Sequence, residues 1–256
     1  MERNERDHRH MEDKQSKTLG VIGGMGPAAS LLFYSMIIDH TAAYSDQQHI
    51  DMIILNHASM PERTKALQEG GRDGLLSKLI RDAQMLEKCG ADGFVITCNT
   101  SHALADEIQS AVNIPLLNIV TVAVEECADR HRRGKKRAPE NRDVKIAVLA
   151  TKGAIGAEIY QKEMERRDIS VYIPTPQSQQ LVHKIIYDDV KGGGALSLSG
   201  FKPVEDELIS AGCDGAIMGC TELSVFKEHF KLPEFYLDPM MSLAKRAIEF
   251  AGREFK

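Results

Sequence analysis

Long apolar runs are missing from this chain. No stretch approaches the length of a membrane span, and no secretory signal pattern is present. Neither a membrane-spanning nor an exported protein is expected. Metal and dinucleotide motifs are missing too. No Cys-x-x-Cys pair or histidine-rich cluster occurs in the part expected to fold, so no zinc site is expected. The glycine-rich turn Gly23-Gly-Met-Gly-Pro27 lacks G-x-G-x-x-G spacing, and NAD is not inferred. Positive charge is not in excess. A formal net charge of −5 gives no reason to expect nucleic acid. The five cysteines are odd in number and fit no disulfide framework, which points to a reducing cytoplasm.

What is present is a balanced globular composition, 43% hydrophobic and 27% charged over 256 residues. That length holds two domains of ordinary size. Residues 1–17 are polar throughout and are expected to form a mobile tail, in which His8 and His10 are solvated. From residue 18 onward, short apolar runs alternate with segments of helical period. Strands are expected at 18–22, 51–56, 93–97, 116–119, 144–150, 170–173, 215–219 and 234–237. Helices are expected at 28–43, 73–88, from about 101, up to about 130, and at 179–190, 201–211 and 240–253. The basic run Arg130–Asp143 has no interleaved aromatic residues and reads as a solvated connecting loop. This alternation predicts an α/β fold, doubly wound, with parallel sheets covered by helices on both faces. Ligands of such folds sit beyond the carboxyl ends of the strands.

One pattern occurs twice. Gly90, Asp92, Gly93 and Cys98 recur as Gly212, Asp214, Gly215 and Cys220, at a constant offset of 122 residues. A repeat this long predicts two similar halves, each with one cysteine at a strand end. Two thiols facing each other across a cleft suit proton transfer on opposite faces of one carbon. An unassisted thiol is only about 3% thiolate at neutral pH. A helix N-terminus lowers that pKa, and Asn99, Thr100 and Ser101 or Thr221 and Glu222 are placed to cap such helices. Cys89, Cys127 and Cys213 have no counterpart in the other half and read as structural.

Gly-Gly-Met-Gly-Pro at 23–27, Pro-Glu-Arg-Thr at 61–64, Cys-Asn-Thr-Ser-His at 98–102, Gly-Cys-Thr-Glu at 219–222 and Asp-Pro-Met at 238–240 together resemble the aspartate/glutamate racemase family. The resemblance runs from about Leu19 to the last helix. It implies two α/β domains related by a pseudo-twofold, with the active site in the cleft between them. The last helix returns to the first domain, giving 18–119 with 238–256 and then 120–237. It implies an amino-acid racemase without cofactor or metal, working as a homodimer on a small amino acid. Cys98 and Cys220 would be the two catalytic bases, Cys98 acting on the D- and Cys220 on the L-enantiomer. Met25, Gly26, Asn99, Thr100 and Thr221 would hold the α-carboxylate and amine, Asn56 would line the pocket, and Glu222 would orient Cys220.

Arg63 is the residue the resemblance assigns to a distal carboxylate, which a guanidinium pairs bidentately. Family members specific for aspartate carry a lysine near position 180. An ungapped match places Gln180 there, with Lys184 one turn later. Glutamine hydrogen-bonds a carboxylate but supplies no charge. Aspartate or glutamate is the expected substrate, and a broader range stays open. Other readings are a decarboxylase or isomerase of the arylmalonate/maleate type, a non-catalytic amino-acid-binding protein on the same fold, and a redox pair. Against the last, thiol oxidoreductases keep their cysteines close in sequence.

Overall fold

The computed structural model describes residues 16–135 and 144–256. The expected tail, except Ser16 and Lys17, and residues 136–143 of the basic run lie outside the described residues. The first part of the chain contains β1 (Leu19–Gly23), α1 (Pro27–His40), β2 (Met52–Asn56), α2 (Arg63–Gln68), α3 (Arg72–Lys88), β3 (Gly93–Ile96) and α4 (Ala105–Ser110). α5 (Ile119–Lys135) leads into β4 (Lys145–Ala150), α6 (Lys152–Gly156), α7 (Ile159–Glu165), β5 (Ser170–Tyr172) and α8 (Pro176–Lys184). α9 (Leu198–Ser210), β6 (Gly215–Gly219), α10 (Thr221–Phe230), β7 (Tyr236–Leu237) and α11 (Pro239–Phe250) complete it. All paired strands are parallel. One sheet has the order β2-β1-β3 and the other β5-β4-β6-β7. β1, β2 and β3 thus correspond to β4, β5 and β6, two similar doubly wound units.

The sequence repeat explains why the units match. Asp92 accepts the Thr18 N–H at 2.7 Å and donates its own N–H to the Thr18 carbonyl at 2.9 Å. Asp214 does the same to Lys145, at 2.9 and 2.8 Å. Each aspartate therefore ties the start of its sheet's last repeated strand to the start of the central one. Gly90 and Gly212 follow helices with φ of +91° and +68°, the left-handed region that glycine enters without a Cβ penalty. Glycine and aspartate are thus scaffolding, and the cysteine is the repeated residue left for chemistry.

Strand residues alternate between cores, as the two-residue period requires. Leu19, Val21, Val95, Ile146, Val148 and Ile217 face one shared core with α1, α5, α7 and α11. Ile22, Phe94 and Ile96 face a second core closed by α3. Ala147, Leu149, Ala216 and Met218 face a third, with α8, α9 and α10. Burying one such aliphatic side chain contributes about 1.5–3 kcal/mol. α11 packs on both α1 and α5, which ties the end of the chain to its first helix.

Three expectations need correction. The strand expected at 116–119 is a single parallel bridge, Leu116 to Phe94. Asn118 then starts α5, its Oδ1 accepting the N–H groups of Val120 at 2.9 Å and Thr121 at 3.3 Å. Arg130–Lys135 is the end of α5 and not a loop. There Arg130 pairs one turn back with Glu126 and across to Glu234. The helix expected at 179–190 is α8 followed by a π-helical segment, Ile185–Lys191.

Candidate active site

Cys98 follows β3 and Cys220 follows β6, so both thiols lie at carboxyl ends of equivalent strands. Both are buried. Their surroundings differ in charge. Arg63, at the first position of α2, is buried and donates from Nη2 to the Met25 carbonyl and from Nη1 to the Pro61 carbonyl, each at 3.0 Å. Burial opposes its charge, but Cys98, Glu62 and Glu222 around it hold its pKa above the ordinary value. Cys98 therefore sits beside a cation.

Cys220 is the N-cap of α10 and donates from Sγ to Glu222 Oε2 at 2.9 Å. The other oxygen, Oε1, pairs with Lys191 Nζ at 3.1 Å. Burial raises the Cys220 pKa well above the ordinary thiol range, and Glu222 raises it further, while Lys191 lowers it. Gly26 closes the same space, since a Cβ there would lie 3.2 Å from Glu222 Oε1.

The residues expected to hold the substrate are distributed as follows. Met25, Asn99, Thr100 and Thr221 are buried around the strand ends. Thr100 Oγ1 lies 2.9 Å from Thr151 Oγ1, a hydroxyl pair across the two units. Asn99 does not cap its helix. Its Oδ1 accepts from Tyr160 Oη. Its Nδ2 is buried with no hydrogen-bond partner among the described residues, and so is Arg63 Nε. Buried donors left unpaired are costly unless a ligand meets them. Asn56 ends β2 and is exposed. Gln180 is exposed on α8 and takes part in none of these contacts.

His102 has a structural place. Burial lowers its pKa to about 4, so the ring is neutral. Nδ1–H donates to the Cys98 carbonyl at 2.9 Å, and Nε2 accepts the Ile119 N–H at 3.4 Å. The ring thus fastens the Cys98 turn to the start of α5. Cys127 is pushed up to about 12 by burial, which leaves it an inert thiol. Among the described residues no cluster of three or more histidine, cysteine or acidic side chains is placed to hold a metal ion. No described helix is long and apolar enough to cross a membrane.

A family model described as Asp/Glu/hydantoin racemase matches residues 22–247. The chain belongs to that family. By that membership it is an isomerase. Similar proteins include RacX of Bacillus subtilis (strain 168), a broad specificity amino-acid racemase. It is 27% identical over 231 residues, covering 90% of this chain and 96% of RacX. A glutamate racemase of Persephonella marina is 26% identical over 152 residues, 58% of this chain and 53% of that one. The crystal structure of an aspartate racemase homologue from Pyrococcus horikoshii OT3 superposes with a TM-score of 0.71 at 26% identity, covering 92% of this chain and 99% of that one. Picrophilus torridus aspartate racemase shares the fold, with a TM-score of 0.76 at 22% identity over 94% of this chain and 96% of that one.

Three groups of this racemase's site escaped the sequence reading: Tyr160, Tyr187 and Lys191. Tyr160 carries no local signal, because its partner Asn99 is 61 residues away. Tyr187 reaches Glu62 and Thr64 over more than a hundred residues. Lys191 stands before three glycines and reads as an ordinary cation at a helix end. Lys184, the nearer lysine to the expected position, pairs instead with Asp189 at 2.6 Å.

Proposed function

We propose that this chain racemises an amino acid by two-base inversion at Cα, without cofactor, through Cys98 and Cys220. The observation that carries the reading is the pair of buried thiols at equivalent strand ends, set in opposite electrostatic surroundings. Stereoinversion needs one group to remove the Cα proton and another to donate to the opposite face. The Arg63 guanidinium lies beside Cys98. The carboxylate beside Cys220 favours a thiol. One thiol serves as base and the other as acid, and each turnover exchanges the two roles.

The unpaired donors Asn99 Nδ2 and Arg63 Nε support an anionic ligand, the α-carboxylate and a distal carboxylate. Gln180 supplies no charge, and Lys191 is paired with Glu222. The preferred substrate, read from Arg63, is aspartate or glutamate. A second reading, a broad amino-acid range, is supported by Glu222, whose carboxylate already engages Lys191, and by the similarity to RacX. The homodimer and the partition into 18–119 with 238–256 and 120–237 are part of the same proposal.

The deciding experiment incubates purified protein in deuterium oxide with single enantiomers and follows Cα exchange by NMR. Exchange with inversion of aspartate or glutamate, persisting after dialysis, is expected. Activity that returns only with added pyridoxal phosphate removes the two-thiol mechanism.

A further inference from the structure

The π-helical segment Ile185–Lys191 reaches both charged centres of the site, and none of the motifs explains it. Its Tyr187 hydroxyl donates to Glu62 Oε1 at 3.0 Å and lies 3.1 Å from Thr64 Oγ1. Those are the residues immediately before and after Arg63. One hydroxyl carries one proton, so Tyr187 gives it to Glu62 and accepts from Thr64. Glu62 is held in turn as the N-cap of α2, accepting the Lys65 N–H at 2.6 Å. Four residues on, Lys191 holds Glu222 Oε1 at 3.1 Å, and its ammonium lies 5.6 Å from the centre of the Tyr187 ring. Helical turns with π-type hydrogen bonding are rare and are frequently found at functional sites.

The end of the segment demands glycine. The Gly192 N–H bonds the Tyr187 carbonyl at 2.9 Å, and the Gly194 N–H bonds the Asp188 carbonyl at 3.1 Å. A Cβ on Gly192 would lie 2.6 Å from the Asp188 carbonyl oxygen, and one on Gly194 would lie 2.8 Å from it. The glycine run therefore shapes the turn that keeps Tyr187 and Lys191 in place.

We propose that Ile185–Lys191 is a strap in which Tyr187 positions Arg63 and Lys191 positions Glu222 against Cys220. Neither is a catalytic residue; each acts through the group it holds. Lys191 occupies one carboxylate oxygen and leaves the other facing the thiol. The charged and titratable groups around Cys220 are then Glu222 from α10, Lys191 and Tyr187 from the strap, and Tyr160 from α7. Arg63 from α2 faces Glu222. Without Lys191 the carboxylate loses its counter-charge and disfavours the Cys220 thiolate more strongly.

The Tyr187 part rests on the racemase reading and the Lys191 part does not, so the test has two arms. In the first, iodoacetamide alkylation of each cysteine is mapped by mass spectrometry against pH, in the full chain without substrate. Lys191→Met is expected to slow Cys220 about tenfold at mildly alkaline pH, the effect of one pKa unit on the thiolate fraction. Cys98 is expected to be unchanged, and Lys191→Arg to restore Cys220. In the second arm, Tyr187→Phe is expected to raise KM for aspartate and glutamate about tenfold, with kcat and KM for alanine unchanged. Equal slowing of both cysteines in Lys191→Met, or an equal rise in KM for alanine in Tyr187→Phe, overturns the strap. A wild type that racemises nothing sinks the racemase reading alone, and the alkylation ratio still decides the role of Lys191.

Discussion

The ends of β3 and β6 are built alike and charged unlike. Each has an aspartate tying its strand to the central one and a left-handed glycine before it. Each delivers a buried cysteine. Beyond the cysteine the likeness stops. Cys98 meets a guanidinium from α2, and its turn is fastened by a neutral histidine. Cys220 meets a carboxylate from its own helix, restrained by a lysine from the strap. A repeated scaffold supplies two identical groups, and the decorations around them differ in charge.

The largest effect should come from removing either thiol. Cys98→Ala and Cys220→Ala are each expected to lower kcat/KM about 10²–10⁴-fold, the usual contribution of a positioned proton-transfer group. Cys127→Ala should leave the rate nearly intact. Comparable activity in the Cys98 and Cys127 variants would break the pairing of the two strand ends.

Next is the acid sensitivity that His102 gives the Cys98 side. His102 has a folded pKa of about 4, below the ordinary histidine value near 6.5. Between those values the unfolded chain binds a proton that the folded chain does not, so stability falls as pH drops through this window. The His102 contribution amounts to about 3 kcal/mol across it. His102→Gln is expected to flatten that part of the stability–pH curve, measured by urea melts. An unchanged slope would show that the ring is not held neutral.

Substrate discrimination sharpens the contrast between cation and carboxylate. Arg63→Leu should lower kcat/KM for aspartate and glutamate by about 10- to 150-fold, the worth of a charge-assisted hydrogen bond. Alanine should be affected far less. A uniform loss across substrates would make the arginine a support for the Met25 and Pro61 carbonyls only.

The smallest effects test the shared scaffold. Asp92→Ala and Asp214→Ala should each cost about 1 kcal/mol of stability, by nearly equal amounts, with little change in rate. Unequal costs would mean that the two aspartate ties are not equivalent despite equal geometry.

Much of this was legible in the chain because the carriers are local. Apolar alternation marked the buried strands, and the Gly–Asp–Gly–Cys repeat marked two equivalent strand ends. Where a cap intervened, local reading failed. Asn118 turned an apolar stretch expected as strand into the start of α5. At position 180 an ungapped count found Gln180, which is exposed, whereas the cation near the thiols is Lys191. The π-helical segment changes which residue comes round to the site, and no single-residue propensity announces that change.

What the sequence by itself determined was the pair of parallel sheets, the two cysteines at their ends and the arginine motif, because each follows from residues near one another. What only the tertiary structure decided was the sign of the charge beside each thiol. Arg63 against Cys98, Tyr187 against Glu62 and Thr64, and Lys191 against Glu222 are all distant in sequence. Such pairs form only when the chain folds, the Tyr187 contacts only when the two units dock, and burial then strengthens each charge by removing the water that would screen it.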